Sequence, residues 1–327
     1  MISCIIPFRN DFEKVDAVVN NLLATTEENS ELEIIVVNDG SFQHNNKFRP
    51  LKLDQPNTRV INNPIARGVG YSFDHGVSIA NSDIIVLMGC DVFTQKGWYD
   101  IVRNEVLHKP DRIGCSVCLG SKSKNFGADL LITVDKEDLP KDSGLHKRPF
   151  YTDIFKGRWR LVDTPPKDTC DISCLMGAFY FTSKQYYQFI GGWDTDLNER
   201  WQGHRQWGHL EPHISLKSWL VGGGCYLQPS IETTHIFNRK GEHRFAKGSR
   251  SLDNMWWNAL WILETMVMDA HQREQIYNFL HPELNLNVAQ KNIKKNYENV
   301  LKIRNRNKSI FKHNLTWFID KFGCKIK

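Results

Sequence analysis

The sequence has no run of roughly 20 unbroken apolar residues, the length a membrane-spanning helix requires, and this excludes an ordinary helical membrane protein. It also opens without a basic segment, an apolar core and a small-residue cleavage site. "MISCIIPFRND" runs straight into a strand-like segment, so no secretory leader is expected. Eight cysteines in 327 residues do not make the dense pattern of a small disulfide scaffold. Reduced thiols and a cytoplasmic location, in solution or at the membrane periphery, are the expectation. Internal repeats and low-complexity tracts are missing too. Acidic residues are scarce at one end: from Leu286 onward there are two, Glu298 and Asp320, against eleven Lys and Arg. That segment carries +9, and the rest of a chain of net charge +5 is near −4. A basic tail on a mildly acidic body suits an anionic partner, whether nucleic acid, an anionic membrane surface or an acidic acceptor; a solvated helix face is the other reading.

What is present is an ordinary globular composition, 41% hydrophobic and 24% charged, with length for one large domain or one domain plus an appendage. "SCIIPF" is a short β run. "DFEKVDAVVNNLLATT" places Val15, Val18, Val19, Leu22 and Leu23 at helical spacing. "LEIIVVNDGS" is a continuous apolar run stopping at a turn, "TRVINNP" a shorter strand, and "GVGYSFDHGVSIANS" a helix starting after Gly68. "DIIVLMGCDVF" is again a strand. Strand, helix, strand, strand, helix, strand predicts an α/β fold with a mostly parallel central sheet and helices on both faces. Ligands bind such sheets at the carboxyl ends of the strands, so Asn38-Asp39 and Asp91 are expected at one crevice.

Residues 120–170 read as loops with one strand at "ADLLITV". Order returns with a strand and helix in "CDISCLMGAFYFTSKQYYQFIGGWD", a helix in "HLEPHISLKSWLVGGG" and two short strands in "CYLQPSIETTHIF". The pairs Cys115/Cys118 and Cys170/Cys174 have zinc-like proximity. The second cysteine of each pair runs into an apolar strand, which favours small buried residues over zinc. After residue 240, "NRKGEHRFAKGSRS" reads as a mobile basic loop and "LDNMWWNALWILETMVMDA" as an apolar helix. "VAQKNIKKNYENVLKIRN" reads as one basic amphipathic helix with Ile293, Tyr297, Val300 and Leu301 inward. The division expected is a catalytic domain over 1–240 and a helical extension over 241–327.

Three strand ends carry the chemistry: Pro7-Phe8-Arg9-Asn10, Asn38-Asp39-Gly40-Ser41, and Asp91. Together they resemble the GT-A nucleotide-sugar glycosyltransferases of the family 2 type over about residues 2–240. "WGHLEPHISLKSWLVGGGCYLQPSIETTHIF" is similar to a segment of the polypeptide N-acetylgalactosaminyltransferases and related sugar polymerases, with Trp207, Gly208, Ile214, Ser215, Trp219, Gly222, Gly223 and His235 in register. The resemblance implies a GT-A fold with a C-terminal helical extension and transfer of a sugar from a UDP-sugar to an acceptor hydroxyl.

The departing diphosphate needs a cation, and Mn²⁺ or Mg²⁺ is the cofactor implied. By this register Asp91 and His235 are the metal ligands. Gly89 stands where the family has its first metal-binding acid. Asp39 is expected to accept the uracil ring N–H, with Pro7, Phe8, Arg9, Asn10 and Asn38 bordering the nucleoside. Asn10 has a rival role capping the first helix. Arg67 and, in the basic loop, Arg239 and His243 with Arg244 and Lys247 fall on the diphosphate side. Glu211 takes the base position of inverting relatives, with His209 and His213 flanking it; Leu210 replaces the acid that usually precedes it. The more similar relatives retain configuration and need no such base, whereas a carboxylate at this place favours inversion. Trp193, Asp194 and Trp207 fall on the acceptor side. The acceptor implied is a glycan, with modified DNA or a protein side chain as rivals. A different class also remains, a glycosyltransferase-like binding module without activity.

Overall fold

The computed structural model describes residues 1–27, 31–42, 47–120, 124–134, 153–161, 166–177, 179–199, 202–206, 208–236, 249–280 and 286–324. The first half follows the sequence pattern: β1 (Ile2–Phe8), α1 (Phe12–Thr25), β2 (Leu32–Asp39), β3 (Thr58–Asn63), α2 (Val69–Ile79) and β4 (Ile84–Met88). The four strands pair in parallel in the order β3-β2-β1-β4. Every residue of β1, β2 and β4 is buried, as continuous apolar runs require when helices cover both faces. Successive residues alternate between two cores. Cys4 and Ile6 join Val15, Val18 and Val19 of α1, while Ile5 joins Phe73 and Val77 of α2.

The chain continues through β5 (Val92–Thr94), α3 (Trp98–His108), β6 (Ile113–Leu119), β7 (Lys124–Val134), β8 (Asp153–Leu161), β9 (Cys170–Asp171), β10 (Phe179–Ser183), α4 (Lys184–Ile190), α5 (Leu210–Val221) and β11 (Cys225–His235). The sheet extends as β4-β10-β6-β11-β5, with β10 antiparallel to both its neighbours and β11 parallel to β6. Two sequence expectations change here. The strand at "ADLLITV" has an antiparallel partner, β8, in a stretch read as loop. "CYLQPSIETTHIF" is one strand rather than two, and its register against β6 shifts between Gln228 and Glu232. Pro229 lies inside that shift and has no N–H to give a ladder. Cys115, Cys118 and Cys174 are buried, and burial pushes their thiols up, that of Cys118 to about 12.

The C-terminal part is helical: α6 (Ser249–Met266), α7 (Ala270–Phe279), α8 (Asn287–Lys295), α9 (Tyr297–Ile310) and α10 (Leu315–Phe322). Trp257, Leu260 and Trp261 of α6 enter the same core cluster as α2, α4 and α5. The expected single helix over 288–305 breaks at Asn296, which ends α8 and precedes α9. Ile293, Val300 and Ile303 are buried, whereas Tyr297 and Leu301, expected inward, are 42% and 37% exposed. No described helix is long and apolar enough to cross a membrane.

Candidate active site

A cavity of ≈ 480 Å³ opens at the carboxyl ends of β1, β2 and β4. Pro7, Phe8 and Arg9, at the end of β1, form part of its wall. Phe8 is held edge-on by Phe12 at 5.3 Å. Asp39 closes β2, and its two oxygens accept the backbone N–H groups of Arg67 at 2.7 Å and Gly68 at 2.9 Å. Those donors open α2, so the carboxylate ties the strand end to a helix N-terminus. The turn after it needs Gly40, whose φ is +67° and whose added Cβ would lie 2.3 Å from the Ala66 nitrogen. Burial pushes the Asp39 carboxyl up, against the lowering effect of the two N–H bonds and of the Arg9 and Arg67 charges. A carboxylate has about four lone-pair sites, so Asp39 keeps acceptor capacity on the cavity it lines.

Asp91 sits between β4 and β5, and His235 ends β11. The antiparallel pairing of β5 with β11 sets His235 opposite Val92 and brings His235 Nε2 to 3.4 Å from Asp91 Oδ1. The Ile236 N–H donates to the Asp91 carbonyl at 2.9 Å and fixes the pair. Both side chains face the cavity beside Gly89. Burial lowers the His235 pKa, opposed by the Asp91 charge, and a neutral imidazole is the form that binds metals. Among the described residues no group of three or more His, Cys, Asp or Glu could hold an ion. One carboxylate and one imidazole are ligand types that suit Mn²⁺, and the rest of its shell would have to come from substrate oxygens and water.

Glu211 lies in the first turn of α5. Its Oε1 accepts the Tyr180 hydroxyl at 2.9 Å, and both residues line the cavity. Burial pushes the Glu211 carboxyl up, while the Tyr180 bond and the nearby His209 and Lys156 lower it. His209 precedes the helix in a left-handed conformation, φ 58°. It lines the cavity too, with Nε2 2.9 Å from the Ile154 carbonyl. Tyr180 escaped the sequence reading, although a signal existed. In "FYFTS", Phe179 and Phe181 face one core, and alternation turns Tyr180 to the other. Lys156 and Trp159 of β8 complete this wall; they come from the stretch read as loop.

Several expected site residues do not reach the cavity. The Asn38 amide is buried and donates to the Arg49 carbonyl and Asn62 Oδ1, both at 2.9 Å. Asn10 Oδ1 accepts the Phe42 N–H at 2.9 Å, and Asp11, not Asn10, precedes α1. The Arg67 guanidinium donates to the carbonyls of Asp196 and Leu197 and lies 4.0 Å from the Tyr71 ring centre. Trp193 is buried, stacked on Phe73 at 5.0 Å, with its indole N–H on the Leu210 carbonyl. Asp194, expected on the acceptor side, is fully buried with His213 and Lys217, whose nitrogens lie 3.0 and 2.6 Å from its oxygens. Neither Asp194 nor His213 lines the cavity, because both are used inside this ion cluster. Trp207, Arg239 and His243 lie outside the described residues.

Parallel strands whose polar ends meet at one cavity, with an antiparallel strand inserted beside β4, define the GT-A class of fold, the class of the nucleotide-sugar glycosyltransferases. Within it, residues 3–163 match the family model described as glycosyl transferase family 2. The chain is 22% identical over 249 residues to polypeptide N-acetylgalactosaminyltransferase 12 of Mus musculus, covering 75% of this chain and 41% of that protein. It is 20% identical over 298 residues to polypeptide N-acetylgalactosaminyltransferase 5 of Caenorhabditis elegans, covering 85% of this chain and 43% of that protein. It therefore spans about two fifths of the length of these curated relatives. The solved structure of GalNAc-T7 with UDP, GalNAc and Mn²⁺ superposes with a TM-score of 0.69 at 13% identity, covering 99% of this chain and 57% of that one. S. aureus TarS 1–349 in complex with UDP-GlcNAc gives 0.50 at 12% identity, covering 95% and 83%.

Proposed function

We propose that this chain transfers a sugar from a UDP-sugar to an acceptor hydroxyl, on a glycan, with the help of a divalent cation. The observation that carries the reading is the convergence of Asp39, the Asp91–His235 pair and Glu211 on a single cavity. Asp39 accepts the uracil ring N–H, and Phe8 and Arg9 border the nucleoside. Asp91 and His235 hold the cation, which offsets the charge developing on the departing diphosphate. Glu211 takes the proton of the acceptor hydroxyl as its oxygen attacks the anomeric carbon and the bond to the diphosphate breaks. Lys156 and Trp159 form the wall beside that base. The UDP and UDP-GlcNAc in the two solved relatives support the choice of donor.

Release of UDP from a panel of UDP-sugars, measured with Mn²⁺, with Mg²⁺ and with a chelator, tests the proposal. At least one donor is expected to be cleaved in a metal-dependent way. Absence of both cleavage and UDP binding would reject it in favour of a binding module. The product should have inverted configuration at the anomeric carbon; retention would remove Glu211 from the role of base.

Glu211→Gln keeps the shape and removes proton acceptance. A positioned base contributes about 10²–10⁴-fold, so turnover is expected to fall by that factor with UDP affinity unchanged. The Tyr180 hydroxyl lowers the Glu211 pKa. Tyr180→Phe should therefore move the acid limb of the kcat/KM profile to higher pH, and a profile that stays put removes Tyr180 from the reaction. For the nucleotide, calorimetry should show UDP bound more tightly than CDP, because cytosine lacks the ring N–H. Asp39→Ala should erase that preference. It should also cost about 1–3 kcal/mol of stability, since two backbone donors lose their acceptor.

A further inference from the structure

The basic C-terminal segment does not present its charge uniformly. Arg304 and Arg306 turn inward, the first to Glu264 and the second to Asp194 at 2.6 Å. The exposed cations of α8 and α9 are Lys291, Lys294, Lys295, Lys302 and Lys308, and Glu298 is the only acid between residues 286 and 310. Large apolar side chains stand among them. Val288 and Tyr297 are each 42% exposed and Leu301 37%. These are three of the eleven exposed large apolar side chains among the described residues, and they fall within fourteen positions. Val288, Lys291 and Lys295 share one side of α8, and Tyr297, Leu301 and Lys308 one side of α9, by helical spacing. The opposite sides bury Ala289 and Ile293, and Val300 and Ile303.

We infer that the outward face of α8 and α9 docks on an anionic lipid surface. Charge alone would suit any polyanion. Apolar side chains set singly between lysines suit a surface that offers both anionic headgroups and an acyl boundary. Nucleic acid offers phosphates but gives Val288 and Leu301 nothing to enter. The inference does not depend on the chemistry of the cavity, and its readout is binding rather than turnover.

Sedimentation of the full chain with vesicles of phosphatidylcholine, with and without phosphatidylglycerol, at low and high salt, tests it. Binding is expected only with phosphatidylglycerol and should weaken as salt rises. A lysine near an anionic leaflet is worth about fivefold in partitioning. Lys291→Glu, Lys294→Glu and Lys295→Glu together should then lower binding by about 100-fold or more. Val288→Ser, Tyr297→Ser and Leu301→Ser together should lower vesicle binding at both salt concentrations and leave binding to a DNA oligonucleotide unchanged. The three lysines are exposed, so thermal unfolding of the glutamate variant should match wild type; Tyr297 also contacts Arg304, so the serine variant is compared below its own transition. No sedimentation with anionic vesicles overturns the inference. So does vesicle binding that ignores the serine variant while the oligonucleotide binds as tightly, which would mark a nucleic-acid surface instead.

Discussion

Asp91→Asn is expected to reduce metal-dependent turnover about 10³-fold while the protein remains folded. The substitution is close to isosteric and leaves the backbone bond from Ile236 to residue 91 in place. It removes the only carboxylate of the Asp91–His235 pair. Metal neutralisation of a leaving diphosphate is worth several kcal/mol, and each 1.36 kcal/mol is tenfold in rate. Gly89, two residues before it, has no side chain to substitute for it. His235→Ala should lose less, because diphosphate oxygens and the remaining carboxylate still hold the ion. Calorimetry should show Mn²⁺-dependent UDP binding lost in Asp91→Asn and weakened in His235→Ala, with metal-free UDP binding through Asp39 retained. If Asp91→Asn keeps a tenth or more of wild-type turnover in Mn²⁺, the cation is held elsewhere.

Three cavity-lining residues legible from the strand pattern share one property: each stands at or just beyond the end of an apolar strand. Phe8, Asp39 and Asp91 stand where continuous hydrophobic runs stop, and in a parallel sheet those stops fall at one edge. Glu211 and His235 were placed by similarity in a segment with many matching positions. Tyr180 and Lys156 reach the cavity through pairing partners far away in the chain. Tyr180 was readable by alternation, whereas β8 was hidden in a polar stretch whose strand character shows only against β7. The helix break at Asn296 was missed because Asn is tolerated inside a helix, and the apolar pattern on either side continues almost in phase. Asp194 failed for another reason. Its position in a Gly-Gly-Trp-Asp turn was legible, but not the direction of its side chain. That direction is set by Lys217 and Arg306, 23 and 112 residues away.

That misplaced aspartate leads to the largest stability effect expected in the molecule. Asp194→Asn should lower stability by about 3–5 kcal/mol, the usual cost of removing one partner from a buried ion pair. The thermal midpoint should fall by about 5 °C. Asp194 is fully buried and takes Lys217 Nζ and Arg306 at 2.6 Å, His213 at 3.0 Å and the Trp261 indole N–H at 3.2 Å. It thereby joins α5, α6 and α9 to the turn before them. Asparagine preserves the outline but not the charge. Lys217 is already lowered to about 8 by burial with Asp194 in place, and without the carboxylate its ammonium is buried unneutralised. The turn keeps a second anchor, since Asp74 accepts the Trp193 and Thr195 N–H groups at 3.2 and 3.1 Å. The loss should therefore begin where Arg306 and Trp261 dock, and UDP affinity below the transition should stay near wild type.

The acid side adds a second signature. The His213 pKa is lowered to about 4, so between pH 6.5 and 4 the unfolded chain binds a proton that the folded one refuses, and stability falls as pH falls. Asp194 is held below the ordinary carboxylate range. Its contribution is present above about pH 3.9 and is lost below it, so wild type and Asp194→Asn should converge in acid. Lys217→Met in the Asp194→Asn background should recover part of the loss, because it removes the unpaired charge while filling similar volume. A midpoint of Asp194→Asn within 2 °C of wild type, or no recovery in the double variant, would show that packing rather than the buried charges holds the helices to the sheet.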